Sequence, residues 1–228
     1  MAKLDLQNKK FLSNIITSNK FIDTSKIIDI SMDLNSKTIV WIQDSPPELK
    51  PILKIPKDSC NFTWLNFGSH AGTHIDAPYY LFPRKWTSEK VPFDTLIGRC
   101  QVLDLTFIED IIKTSDLEKL DIHSKMILLK TKNSQDKMLQ YNPKHVSLGV
   151  DAAKYLVSKK ITTIGYDYQS FEREGKSIIH RIFMTKDIIC IDNLRLKSVK
   201  SGDYTLVCLP LKVTGIDAAP SRVILIRD

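Results

Sequence analysis

Short apolar segments that suit β-strands dominate this chain, and they constrain its fold more than any other feature. Each segment is rich in branched or aromatic residues and is bounded by polar residues, proline or glycine. The predicted strands are residues 27–30, 39–42, 61–67, 100–105, 126–130, 161–166, 188–191, 204–209 and 222–226. Because these strands outnumber the helices that a regular strand-helix alternation would need, we expect an α/β fold with a mixed, strongly curved sheet and few helices.

Two helices and one proline-rich loop are predicted between these strands. Ser147 can cap a helix that ends near residues 159–160, since apolar side chains follow it at the helical period. A shorter helix fits residues 115–120. Four prolines between residues 46 and 56 predict an irregular loop, because proline supplies no backbone donor to a β-ladder.

The bulk composition fits one cytoplasmic domain. The 228 residues can bury one large core, and their apolar runs are far shorter than the roughly 20 residues that a membrane-spanning helix needs. Four cysteines without a CxxC pair suggest neither a disulfide scaffold nor a thiolate zinc site. The net charge of +7 comes from scattered lysines, so we expect neither nucleic acid nor a membrane as partner. Residues 1–26 lack a signal-peptide pattern and are interpreted as an N-terminal extension.

One segment carries two histidines and an aspartate, His70, His74 and Asp76, within seven residues. Imidazole and carboxylate groups are ligands that zinc and manganese accept. On a straight strand the two histidine backbones would stand roughly 13 Å apart, too far for both imidazoles to reach one ion at about 2 Å. The chain must therefore turn, and Gly72 is where a turn costs least. Thr73 is a candidate to orient a ligand in the pocket. From the spacing alone, a polar turn whose histidines donate to backbone carbonyls is as good an interpretation of this segment as a metal site.

The stretch from His70 to Pro78, which reads HAGTHIDAP, resembles the HxGTHxDxP signature of the cyclase family of metal-dependent hydrolases. This family includes bacterial kynurenine formamidases and isatin hydrolases. The resemblance extends to residues 28–34, 97–105 and 210–222, nearly the whole chain after residue 26. It implies that residues 27–228 form a swivelling β/β/α fold around a barrel-like sheet, that the chain assembles as a homodimer or homotetramer, and that it hydrolyses an amide or lactam bond with Zn²⁺ or, as second choice, Mn²⁺.

Two distal site residues follow from the resemblance alone. His180 opens an HRIF stretch where the family has a histidine, and Asp192 stands before Asn-Leu where the family has a glutamate. We therefore expect His180 to act at the site as a catalytic residue or ligand, and Asp192 to bind the metal. Aspartate is one methylene shorter than glutamate, so direct coordination by Asp192 is expected to need a backbone shift or a bridging water. Glu172 and Glu174, just before His180, could supply a carboxylate to a second metal ion, but we interpret them as exposed loop charges.

The sequence departs from the family pattern at Tyr80, where the pattern has a histidine that serves as ligand or proton-transfer catalyst. Phenols titrate near pH 10 and imidazoles near about 6.5, so a tyrosine is a poor proton shuttle at neutral pH. The loss of a ligand at this position favours a single metal ion. Trp41 falls where the family has an aromatic-containing loop over the site, and it is a candidate to line the substrate pocket.

Two interpretations of the function stay open on the sequence. In the first, metal-activated water hydrolyses an aryl formamide or a cyclic amide, and Tyr80 donates a hydrogen bond to the developing oxyanion or the leaving group. In the second, the chain is a non-catalytic relative that binds metal together with a small molecule or a protein partner. The replacements at Tyr80 and Asp192 are the motive for the second interpretation.

Overall fold

A computed structural model describes residues 23–41, 44–135, 141–173 and 176–227, and these residues form an α/β fold. The strands are β1 (Ile27–Asp29), β2 (Glu48–Leu53), β3 (Phe62–Asn66), β4 (His74–Asp76), β5 (Ile97–Asp104), β6 (Ile111–Ile112), β7 (Met126–Lys130), β8 (Ser147–Leu148), β9 (Thr163–Tyr166), β10 (Ile189–Asp192), β11 (Gly202–Pro210) and β12 (Ala218–Ile226). The α-helices within the described ranges are α1 (Thr114–Leu117), α2 (Val150–Ser158) and α3 (Ile178–Thr185). The predicted class, a mixed sheet with few helices, is confirmed.

Eight strands form one mixed sheet that closes on itself. Their order is β1-β12-β11-β5-β7-β9-β10-β4, and β12 also pairs with β4, so seven strands form a barrel-like ring. The first part of β12 pairs with β4 and its last part with β1. Strands β5, β7, β9 and β10 are parallel to one another, and the remaining pairings in this sheet are antiparallel. Strands β2 and β3 form a separate hairpin, and β6 pairs with β8.

Strands β7, β9 and β10 are buried on both faces over nearly their whole length, as parallel strands covered on two sides usually are. In β7, Leu128 faces one core and Ile127 faces a second, which also holds Leu156 of α2 and Phe183 of α3. A Cβ at Gly165 in β9 would lie only 2.3 Å from Leu128 Cδ2. Glycine therefore permits the close approach of β9 to its neighbour in the barrel.

Three local predictions are wrong, and two of them have a clear physical reason. Pro51 lies within β2 and not in a loop, because β2 has a single partner strand and the register shifts after Pro51, so the missing N–H interrupts no continuous ladder. Ser147 does not cap a helix, because it pairs with β6 as part of β8, and α2 begins after Gly149. The strand predicted at residues 39–42 is not formed over 39–41, and residue 42 lies outside the described residues.

The predicted N-terminal extension, residues 1–26, lies outside the described residues except for its last four, which lead into β1. Within the described ranges, no helix combines the length and the apolar character needed to cross a bilayer.

Candidate metal centre

Strand β4 presents His74 and Asp76 to one cavity. The strand is buried between β10 and β12, and its register places His74 opposite Asp192 of β10. Alternate residues of a strand share a face, so His74 and Asp76 line the cavity whereas Ile75 joins the core behind it. The strand pairing thus brings Asp192 beside a motif that lies more than 100 residues earlier in the chain.

The chain turns at Gly72, as the spacing of the motif predicts. Gly72 has a φ of 67°, in the left-handed region that favours glycine. Its carbonyl oxygen accepts hydrogen bonds from His74 Nδ1 at 2.9 Å and Asn193 Nδ2 at 3.0 Å. The turn brings His70 Nδ1 to within 3.2 Å of His74 Nε2. The predicted turn is therefore confirmed.

Three atoms of the motif form a triangle of the size that a metal ion needs. Asp76 Oδ1 lies 2.9 Å from His70 Nδ1 and 3.2 Å from His74 Nε2, and the two nitrogens are 3.2 Å apart. Tetrahedral ligands at about 2.0–2.1 Å from zinc stand roughly 3.3 Å from one another. Asp76 Oδ1 is buried and accepts no hydrogen bond in the part of the chain that the structure describes. These residues therefore fit a divalent metal ion.

Each imidazole of the cavity has its outer nitrogen paired with an oxygen. His70 Nε2 donates to Asp217 Oδ2 at 2.8 Å, His74 Nδ1 donates to the Gly72 carbonyl, and His180 Nδ1 lies 3.2 Å from Glu172 Oε1. Such outer bonds fix the tautomer and the ring orientation of a metal-binding histidine. The remaining nitrogens, His70 Nδ1, His74 Nε2 and His180 Nε2, face the interior of the cluster. The donors are thus arranged as a metal site requires.

A second triad overlaps the first and shares Asp76 with it. It consists of Asp76, His180 of α3 and Asp192 at the end of β10. His180 Nε2 lies 3.5 Å from Asp76 Oδ2 and 3.3 Å from Asp192 Oδ2. The shorter side chain of Asp192 thus reaches the cluster, where it completes a second group of three donor residues although Tyr80 replaces a histidine.

Burial and neighbouring charges shift the pKa values of the first triad in opposite directions. Burial raises the pKa of the Asp76 carboxyl, but the imidazoles of His70 and His74 outweigh it and hold this pKa well below its usual range. Burial lowers the pKa of the His70 imidazole, but the carboxylates of Asp76 and Asp217 outweigh it and raise the pKa to about 11. Without metal, protons therefore occupy the cluster, and an incoming cation has to displace them.

Burial and neighbouring groups also shift the pKa values of His180 and Asp192 in opposite directions. Burial lowers the pKa of the His180 imidazole, but hydrogen bonds to Asp192 and Glu172 outweigh it and raise this pKa well above its ordinary value. Burial raises the pKa of the Asp192 carboxyl, and the adjacent His180 only partly opposes this. His180 is therefore a buried group that holds a proton between two carboxyl groups in the metal-free protein.

The cluster opens into a cavity of about 400 Å³. Tyr80 and Trp41 line this cavity. The Tyr80 ring lies 4.7 Å from the His70 ring, and Trp41 packs edge-on against Tyr141 at 5.2 Å. Thr73 is buried and is not among the residues that line this cavity. Its hydroxyl donates to the Asn193 carbonyl and accepts from the Met32 N–H, both at 2.7 Å.

The sequence analysis did not assign two residues of the centre, Glu172 and Asp217, to the site. Glu172 is not an exposed charge: its side chain is 12% exposed and contacts His180, so that interpretation is wrong. Glu174 lies outside the described residues. Asp217 lies in the 210–222 stretch that resembles the family, but only the tertiary contact with His70 reveals its place at the site.

The chain matches a known family and curated proteins over most of its length. A family model described as "Putative cyclase" matches residues 28–173. Kynurenine formamidase of Bacillus anthracis is 30% identical over 205 residues, which cover 89% of this chain and 98% of that protein. Cyclase-like protein 3 of Arabidopsis thaliana is 30% identical over 219 residues, covering 89% of this chain and 80% of that protein.

Solved structures share the fold. A potential metal-dependent hydrolase with cyclase activity superposes with a TM-score of 0.78 at 33% identity, covering 89% of this chain and 98% of that one. An isatin hydrolase bound to the product analogue thioisatinate has a TM-score of 0.77 at 19% identity, with coverages of 96% and 98%. The family resemblance seen in the sequence is confirmed, and the chain belongs to the cyclase family of metal-dependent hydrolases.

Proposed function

We propose that this chain hydrolyses an aryl formamide or a cyclic amide with a divalent ion, Zn²⁺ or Mn²⁺, held by His70, His74 and Asp76. The observation that carries the proposal is the convergence of three donor atoms within 3.2 Å of one another, each imidazole having its outer nitrogen already bonded to an oxygen. Relatives named kynurenine formamidase and a structural neighbour named isatin hydrolase support amide and lactam substrates.

A divalent ion bound at this site would lower the pKa of a coordinated water and polarise a substrate carbonyl. Asp192 adds a buried carboxylate beside His74, and it completes a second triad for a further ion. His180 holds a proton on Nε2 next to Asp192, while Glu172 fixes its other nitrogen. We assign His180 the delivery of this proton to the leaving nitrogen when one ion is bound.

Tyr80 takes a role that needs no ionisation. Its ring lies between the rings of His70 and His180, at 4.7 and 6.2 Å, and its side chain is 38% exposed at the cavity. A phenol donates a hydrogen bond to the oxyanion that develops as the carbonyl is attacked, and such donors stabilise the transition state. Tyr80 therefore stabilises the developing oxyanion, as the family histidine at this position would, but it does not transfer protons.

The cavity suits a small planar substrate. Its volume of about 400 Å³ falls in the range of small-molecule sites, and Trp41 offers an aromatic wall. The alternative of a non-catalytic relative is not favoured, because relatives that match nearly the whole chain are named kynurenine formamidase and a structural neighbour is named isatin hydrolase.

The cytoplasmic location and the assembly as homodimer or homotetramer belong to the same proposal. Hairpin β2–β3 supports an interface between copies, because Phe62, Trp64 and Leu65 are 49–59% exposed and a two-stranded hairpin is marginally stable alone. Sedimentation velocity tests the assembly, and a monomer at micromolar concentration would contradict it.

Metal removal tests the function. The protein is stripped with a chelator, reloaded with Zn²⁺ or Mn²⁺, and assayed with an aryl formamide and a benzo-fused lactam. We expect activity only after reloading, with the ion stoichiometry measured by elemental analysis. His74→Ala should lose both metal and activity, whereas the exposed His123→Ala should keep both. Tyr80→Phe should bind metal normally and lose about a hundredfold in kcat.

The outcomes separate the parts of the proposal. A protein that takes up no divalent ion would overturn the metal site and the activity together. Stoichiometric metal without hydrolysis of either substrate would overturn the activity alone. If Tyr80→His gained activity in such an inert protein, the non-catalytic relative would become the better description.

A further inference from the structure

Gln169 is a polar residue of the cavity that the proposed chemistry does not use. It lies in the loop after β9, at the carboxyl end of the parallel strands, and it lines the cavity. Its side chain is nine-tenths buried, and neither Oε1 nor Nε2 has a hydrogen-bond partner in the described part of the chain. Buried amides almost always pair both groups, so the fold alone gives no reason for an amide at this position.

The unpartnered buried polar atoms of the protein gather at this cavity. Among the described residues, six of eight such atoms belong to residues that line it. Four of the six are acceptor oxygens of the metal cluster and its neighbours: Asp76 Oδ1, Asp192 Oδ1, Glu172 Oε2 and Asn193 Oδ1. A cation can satisfy acceptors but not an N–H donor, and Gln169 Nε2 is the one donor in the set. Gln169 therefore calls for a ligand with polar atoms of its own.

We propose that Gln169 is a specificity-determining residue that binds the cyclic amide edge of the substrate with both atoms of its side-chain amide. In a lactam or cyclic imide, the ring holds C=O and N–H on the same side, so this edge pairs with Nε2 and Oε1 together. In an open-chain trans amide the two groups point apart, and only one can pair. The inference rests on the proposed function and deepens it, since it makes cyclic amides the preferred substrates over open-chain formamides.

A matched pair of leucine variants tests this role. Gln101 is an equally buried glutamine outside the cavity, and its Nε2 donates to the Asp121 carbonyl at 2.7 Å while its Oε1 accepts from the His123 N–H at 3.2 Å. Gln101→Leu should therefore lower Tm and leave KM unchanged. Gln169→Leu removes no hydrogen bond to the described residues, so it should keep or raise Tm, while KM for a benzo-fused lactam rises about tenfold.

The ring N–H supplies a second readout. The N-methylated lactam cannot donate to Gln169 Oε1, so methylation should raise KM in the wild-type protein and change it little in Gln169→Leu. The ratio of kcat/KM for the lactam to that for an aryl formamide should fall about tenfold in Gln169→Leu.

The failure of this inference is distinguishable from the failure of the proposed function. Equal lactam KM values for Gln169→Leu and wild type would overturn the role of Gln169 and leave the hydrolase proposal intact. If the metal-loaded wild type cleaves neither substrate, the proposed function falls. Calorimetric titration with the same lactam then decides on Gln169: binding by Gln169→Leu that is at least tenfold weaker supports the role. Equal binding by the two proteins, or no detectable binding by the wild type, overturns it.

Discussion

At the scale of single residues, the centre depends on how its histidines are held as much as on the histidines themselves. Asp217 accepts from His70 Nε2 at 2.8 Å, and this bond is the main reason that the pKa of the Asp217 carboxyl lies below its ordinary value. The bond directs His70 Nδ1 towards His74 and Asp76. Removing an outer contact of this kind commonly weakens metal affinity by about 10- to 100-fold, because the imidazole is no longer held in the orientation that the metal needs.

Asp217→Ala should therefore weaken metal binding by about 10- to 100-fold without removing any donor atom of the triad. Competition with a chromophoric chelator measures the Kd directly, and the result does not depend on activity. Ser69→Ala is the matched control, because the Ser69 hydroxyl donates to the same carboxylate at 3.1 Å but contacts no imidazole in the described structure. A Kd unchanged by Asp217→Ala would show that His70 orients itself without this carboxylate.

At the scale of elements, the turn before β4 determines whether the two motif histidines can meet. Gly72→Ala would place a Cβ 3.3 Å from Leu34 Cδ1 at a φ of 67°. We expect a loss of about 1–2 kcal/mol in the free energy of unfolding of the metal-free protein, and weaker metal binding, because the strained turn no longer holds His70 against His74. Urea unfolding and chelator competition measure the two effects.

Gly68→Ala is the control for the turn, since a Cβ there meets no heavy atom of the described residues within 4 Å and the backbone is not left-handed. This variant should match the wild type in both measurements. If Gly72→Ala bound metal as tightly as Gly68→Ala, the histidines would not depend on the turn.

The sequence predicts those elements whose cause is local. Strand β7, Met126–Lys130, matches its prediction because an apolar run between polar residues specifies it, and the turn at Gly72 follows from the spacing of two ligands. Contacts between residues far apart in the chain cannot be predicted in this way. Asp192 joins the cluster through the register of β10 against β4, and Glu172 through a contact with α3, neither of which leaves a periodic pattern in the sequence. The resemblance supplied Asp192, but nothing local marked Glu172 as buried.

At the scale of the whole molecule, stability in mild acid depends on a histidine away from the metal cluster. His145 is buried and stacks on Tyr168 with ring centroids 4.1 Å apart. Burial lowers the pKa of its imidazole to about 4, and the charge of Arg173, which donates to the His145 carbonyl, acts in the same direction. His145 Nε2 has no hydrogen-bond partner among the described residues, and the Asn142 carbonyl, which accepts from Nδ1 at 3.0 Å, only partly opposes the effect of burial.

We therefore expect His145 to destabilise the metal-free protein as the pH falls from about 6.5 to about 4, whereas the buried Asp167 carboxyl, whose pKa burial raises to about 6, acts in the opposite direction. In this window the unfolded chain binds a proton at His145 and the folded chain does not, so this histidine lowers the free energy of unfolding by at most about 3 kcal/mol. Urea unfolding in the presence of chelator measures this slope. His145→Phe keeps the stacking on Tyr168 and should remove this contribution to the slope, even though it loses the hydrogen bond to the Asn142 carbonyl.

His123→Gln is the control of opposite sign. A hydrogen bond to Asp203 raises the pKa of the exposed His123, so its contribution is present below about pH 6.5 and is lost as the pH rises through the raised value. Removing it should leave the acid slope between pH 6.5 and 4 as steep as in the wild type. An unchanged slope in His145→Phe would contradict the role of His145 in the acid sensitivity.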